Sequence, residues 1–225
     1  MATNDWTRAV YFTSLSDIKN VLGIDKYLHQ EGLAHRFMPV EAVGYYKDAG
    51  GVYVDGSYEL LMADDIRWGN LNDPDVAIDP ESRRSILYVK QAYMRLARVL
   101  LSNGDKEAAV AVLDKCVEFF PNDKDPYDIL TLSYPEIYYA SGATEKGDEF
   151  METLLENCKD NLRYYYELDP EFMLYYTENI YENMAILDNM INIATRYRRN
   201  ELRTKIANIL DEENNKFYPY LVKGN

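Results

Sequence analysis

Few side chains in this chain are of types that do chemistry, and their spacing decides how much they can do. His29 and His35 are its two histidines. Six residues apart, they would fall on different faces of a helix, and neither has a Cys or a second His at ligand spacing, so they make no metal pair. Carboxylates gather at Asp64, Asp65, Asp73, Asp75 and Asp79. A calcium loop would need a central Gly and a terminal Glu that this run lacks, and helix caps and turns explain the acids more simply. Cys116 and Cys158 both lie in helical patterns, so no disulfide framework is expected and both read as buried thiols. There is no Gly-rich phosphate loop, Gly-x-Ser-x-Gly elbow or zinc-protease helix. The chain is therefore expected to be no enzyme by itself, with no catalytic residue, metal or cofactor.

Aromatic side chains offer a different chemistry. The sequence holds 21 tyrosines, including the pairs Tyr45-Tyr46, Tyr138-Tyr139 and Tyr175-Tyr176 and the triple Tyr164-Tyr165-Tyr166. In thin helical layers a tyrosine fills volume and sends its hydroxyl to the rim, and this packing role is the leading explanation. Exposed rings could instead stack on sugar, and Trp68 is the candidate for that role.

The elements that position these groups are announced by Asp-Pro. It occurs at Asp79-Pro80, Asp125-Pro126 and Asp169-Pro170, at intervals of 46 and 44 residues, about the length of a solenoid hairpin unit. Asp can cap a helix, and Pro at the first helical position gives up only a donor that would be unsatisfied anyway. Each dipeptide is thus expected to start a helix, whereas Asp73-Pro74, with no amphipathic run behind it, reads as a turn. After Asp79, Ile86, Val89, Tyr93, Leu96, Ala97, Leu100 and Leu101 form a stripe that Gly104 ends, and 108–119 makes the partner helix. Tyr93, Leu96, Ala97, Leu100, Gly104, Ala109, Leu113, Cys116 and Pro121 sit at tetratricopeptide spacing, with Ala97 and Ala109 small where two helices must cross closely.

The second hairpin, 125–168, is less regular. Gly142, Met151 and Leu154 repeat Gly104, Leu113 and Cys116 after 38 residues, but Pro135 stands where Ala97 stood and must kink the helix or mark a fresh start. The third opens with Met173, Tyr176, Ile180, Met184, Leu187, Ile191 and Ala194 and returns through Leu202, Ile206, Ile209 and Leu210. In a tetratricopeptide register Gln91, Met94, Arg98, Glu136 and Tyr139 face the concave side, where such arrays lay a peptide ligand. The same groove can instead be filled by the N-terminal unit or the last helix.

Before Asp79 the signals differ. Residues 8–14 read as a short buried strand and 32–40 as another, with one or two helical turns in 16–30 between them, so the strands can run parallel through a crossover. Gly50-Gly51 and Gly56 mark turns, and 58–68 reads as a short amphipathic helix. The expected fold is mostly α: a three-hairpin tetratricopeptide-like array over 79–225, behind a small α/β unit and linking segment over 1–78.

The formal charge of −14 and pI near 4.6 oppose binding to nucleic acid or anionic lipid. No apolar run approaches the roughly 18 residues that span a bilayer, and no basic-then-apolar leader opens the chain. Direct membrane insertion is not expected.

Four segments carry a resemblance: Ala9 to Leu15, Tyr27 to Arg36 with its Glu-Gly-Leu-Ala core, Arg67-Trp68-Gly69-Asn70-Leu71, and the hairpin from Leu96 to Pro121. Together they resemble the C-terminal extramembrane region of Bacteroidetes membrane proteins related to protein O-mannosyltransferases. The resemblance implies a periplasmic soluble tail behind a multi-spanning glycosyltransferase-like body that holds the catalytic acid, so no catalytic residue carries over. The partner would be that membrane body or an acceptor protein. The alternatives are a free-standing, cytoplasmic adaptor for peptide segments and a carbohydrate-binding module.

Overall fold

A computed structural model describes residues 8–13, 23–41, 51–73 and 75–221. It is a mostly helical, tetratricopeptide-like set of hairpins with a small N-terminal sheet. Among the described residues no helix is long and apolar enough to cross a membrane. The chain forms two compact units, Met1–Lys124 and Asp125–Asn225.

In the first unit, β1 (Tyr11–Phe12), β2 (Leu28–Glu31), β3 (Ala34–Phe37) and β4 (Gly51–Val52) form one sheet in the order β1-β3-β2-β4. Gly32, at φ +64°, turns β2 into β3 through a two-residue loop that places Glu31 opposite Ala34. Glycine accepts that positive φ without steric cost. This hairpin replaces the expected crossover: β1 pairs antiparallel with β3, and the parallel partner is β4, on β2. The strand expected at 8–14 is short and at the sheet edge, with Tyr11 48% exposed rather than buried. Of the span expected to hold helical turns, Asp25–Tyr27 is a single 3-10 turn and Leu28 onward is strand; 14–22 lie outside the described residues.

Two glycines read as turn markers have other roles. Gly51 belongs to β4, and Gly56 lies inside α1 (Val54–Leu61), which starts and stops earlier than the helix expected over 58–68. A Cβ at Gly56 would come within 2.7 Å of the Tyr53 ring and 2.9 Å of the Glu31 carboxylate, so close helix-on-sheet packing selects glycine there. The Ser57 hydroxyl fixes the contact, donating to the Gln30 carbonyl at 2.8 Å and accepting from Gly32 N–H at 3.3 Å.

Asp79 caps α2 (Pro80–Ser102) as its dipeptide implied, its side chain accepting from the N–H groups of Glu81 and Ser82 at 2.9 and 3.1 Å. Gly104, at φ +88°, and Asp105, the cap of α3 (Lys106–Phe119), turn the chain back. Tyr93, Leu96, Ala97, Ala109, Leu113 and Cys116 are all fully buried, as the tetratricopeptide spacing requires. The division at 78/79 expected from sequence differs from the compact units because this hairpin is fastened to what precedes it. Gln30 Nε2 donates to the Ala92 carbonyl at 3.0 Å, the Tyr93 hydroxyl to Leu61 O at 2.8 Å and Lys115 Nζ to Met62 O at 3.1 Å.

In the second unit Asp125-Pro126 starts no helix. Asp128 caps a 3-10 turn, Ile129–Thr131, through a capping box with Thr131, and α4 (Ser133–Ser141) follows. Pro135 explains the delay: deep in a helix it would delete a hydrogen bond and clash with the preceding turn, but in the first turn of α4 it does neither. It marks a fresh start, the second of the two outcomes expected for it. Gly142, at φ +92°, leads into α5 (Thr144–Tyr166), and Met151 and Leu154 are fully buried. Asp169-Pro170 does open a helix, but only the four-residue α6 (Pro170–Met173). A 3-10 turn, Leu174–Tyr176, leads to α7 (Thr177–Arg196), and α8 (Asn200–Leu221) returns. Cys158 is buried, and burial, with a smaller contribution from Glu182, pushes its thiol up to about 12.

Candidate interaction surface

Gln91, Met94 and Arg98 lie three and four residues apart on α2 and share one helix face. Gln91 is exposed, and Met94 and Arg98 are half-buried. Between them Arg95 reaches into the N-terminal sheet, donating to Gly51 O at 3.3 Å and facing His35 Nε2 at 3.3 Å. A guanidinium only donates, so Nε2 accepts and the neutral ring keeps its proton on Nδ1. Burial, and then the Arg95 charge, lower His35 to about 4. The sheet thus packs against α2 at Arg95, and Gln91 beside it is exposed.

The other two groove candidates belong to the second unit. Glu136 is half-buried and ion-paired with Arg196. Tyr139 is only 7% exposed; its hydroxyl donates to Asp148 Oδ1 at 2.9 Å and its ring lies 5.1 Å from that of Tyr197. Tyr139 therefore packs inside its unit, and is no open groove residue. Burial and the Asp148 carboxylate push its phenol up.

Trp68 also packs rather than presents a face. Its ring lies 6.5, 6.4 and 5.9 Å from those of Tyr93, Phe119 and Phe120, where an aromatic cluster fills the seam beside α3. Trp68 is half-buried in that cluster. The exposed aromatics lie elsewhere: Tyr164 is 53% exposed and Tyr175 83%. Both come from tyrosine runs evident in the sequence, but only tertiary structure separates them from buried Tyr93, Tyr134 and Tyr138.

Two clefts on the described surface are lined by charged residues. One, of ≈ 630 Å³, is lined by Asp148, Glu152, Arg198, Arg199, Glu201 and Lys205. Two of its charge pairs are engaged with each other, Arg199 with Asp148 and Lys205 with Glu152. The other, of ≈ 500 Å³, is acidic, with Asp55, Glu59 and Asp105, and Asp105 is committed to capping α3 through Ala108 N–H. Among the described residues no group of His, Cys, Asp and Glu could hold a metal.

The α2–α3 hairpin decides the comparison with known proteins. Residues 90–123 match the tetratricopeptide repeat family. The match runs from Lys90 in α2 to Asp123 just past α3, the same hairpin whose small residues sit at the helix crossing. Residues 1–55 match a second family, described as TMEM260-associated domain 2. No curated protein and no solved structure matches the chain. Both matches fall within the first compact unit.

Proposed function

We propose that this chain is a non-catalytic interaction module serving a membrane-embedded glycosyltransferase, where it holds acceptor protein or orders the enzyme's extramembrane face. The observation that carries the reading is the tetratricopeptide hairpin with an N-terminal sheet fastened onto it. Such hairpins are scaffolds that expose extended surfaces for protein or peptide segments. A segment matching a domain described as TMEM260-associated, in the same unit as the repeat, supports a membrane-protein setting. The resemblance to the tail of membrane proteins related to protein O-mannosyltransferases supports the glycosyltransferase and a periplasmic location. Removing this region from the full-length enzyme should slow glycosyl transfer or change acceptor choice. An unchanged rate with unchanged acceptors would overturn the proposal.

A further inference from the structure

The end of α5 and the 3-10 turn ahead of α7 gather an aromatic surface that is partly exposed. Tyr165 and Tyr176 stack with centroids 5.1 Å apart and an interplanar angle of 25°, and Tyr164 stands edge-on to both at 5.5 and 6.4 Å. Tyr164 is 53% exposed and Tyr176 37%. Soluble surfaces rarely leave such rings clustered in water without a partner. Along this stretch of chain the charge is one-sided. Residues 160–182 hold six carboxylates and one cation, Arg163, which is already paired with Asp160 at 2.8 Å. Burial first, then Tyr176 and Glu182, raise the Tyr165 phenol, and Glu182, on α7, is exposed.

We propose that this tyrosine and carboxylate surface docks an arginine-containing basic segment of a partner protein. A guanidinium is planar, stacks on a tyrosine face and pairs with a carboxylate at its edge, so one side chain satisfies both features. A neutral sugar would use the rings and leave the excess negative charge unmet. Nucleic acid and anionic lipid would be repelled by it. The α2 face plays no part, so this inference can fail without affecting the proposed scaffold role, and the reverse.

The test measures binding of a labelled hexa-arginine peptide to the full chain by fluorescence anisotropy, at low and high salt. Binding should weaken with salt and fall about three- to fivefold on Glu182→Gln, a surface change that leaves the helix intact. Tyr176→Leu keeps apolar volume but loses the ring face, and should cost a similar factor. Glu107→Gln, an exposed change of equal charge on α3, should leave affinity unchanged. Equal losses from Glu107→Gln and Glu182→Gln would mean attraction to overall charge and overturn the proposal. So would equal binding of a Gly-Ser peptide, or binding of a neutral mannose oligosaccharide with none of hexa-arginine.

Discussion

Arg199 grips Asp148 with two nitrogens, Nε meeting Oδ1 at 2.8 Å and Nη2 meeting Oδ2, while the Tyr139 hydroxyl donates to the same Oδ1 at 2.9 Å. One carboxylate on α5 thereby ties down α4 and the turn between α7 and α8. Asp148→Ala should leave a buried phenol without its acceptor and a guanidinium without its pair. A net hydrogen bond to a charged group contributes about 1.5–3 kcal/mol, less where water reaches it. With both ion-pair partners about one-third exposed, a loss of about 2 kcal/mol is expected. A lower urea midpoint at constant m-value would register it, and an unchanged midpoint would deny the carboxylate its role.

Gly147 follows Ala109 by 38 residues, the interval that relates Gly104 to Gly142. It fills the small-residue position of the second hairpin. A Cβ there would sit 2.5 Å from the Tyr139 ring, which is buried and held by Asp148, so the ring cannot simply swing away. Gly147→Ala gains about 1 kcal/mol of helix propensity but forces α4 and α5 apart. Net destabilisation of about 1–3 kcal/mol should result. Thermal unfolding of the variant checks the sign, and a raised Tm would refute the packing argument.

The first hairpin was legible because its signals are local: a cap at Asp79, a stripe at helical spacing, small residues at Ala97 and Ala109, and a break at Gly104. The sheet was less so. Its strands are two to four residues long, too short for alternation to declare itself, and the β2–β4 pairing depends on contacts far apart in sequence. Asp125-Pro126 misled because a dipeptide can announce a cap but cannot say whether a later proline, here Pro135, forces the helix to begin again. Residue type and register alone send Trp68 and Tyr139 to surfaces. Whether an aromatic ring meets water or Phe120 is settled only by tertiary packing.

The three hairpin turns share a left-handed residue, but not its identity. Gly104 and Gly142 adopt φ +88° and +92°, while the third turn places Arg198 at +58°. The hydrogen bond from Arg199 N–H to Ala194 O at 2.8 Å matches that from Asp105 to Leu100 and from Ala143 to Tyr138. A side chain with a Cβ costs about 1 kcal/mol in this conformation. Arg198→Gly should therefore stabilise the second unit by about 0.5–1 kcal/mol. An unfolding curve moved the other way would show that the Arg198 side chain offsets its strain.

His35 should make stability depend on pH over a defined window. In the unfolded chain it titrates near 6.5, and in the fold burial and the Arg95 charge hold it neutral down to about 4. Above pH 6.5 both states are neutral and His35 contributes no slope. Between 6.5 and 4 the unfolded chain binds a proton that the native ring refuses, so stability falls as pH falls. Below about 4 the native ring is charged too, and the slope ends. A tenfold difference in proton affinity between the two states corresponds to about 1.4 kcal/mol, and because the ring is only half-buried a total near 2 kcal/mol is expected. Arg95→Met removes the neighbouring cation and should raise the native midpoint while burial still holds it below 6.5. With only His29 and His35 in the chain, NMR titration of the imidazole signals separates them directly. A native His35 midpoint near 6.5 would contradict the contact with Arg95 and the seating of the sheet on α2 that it fastens.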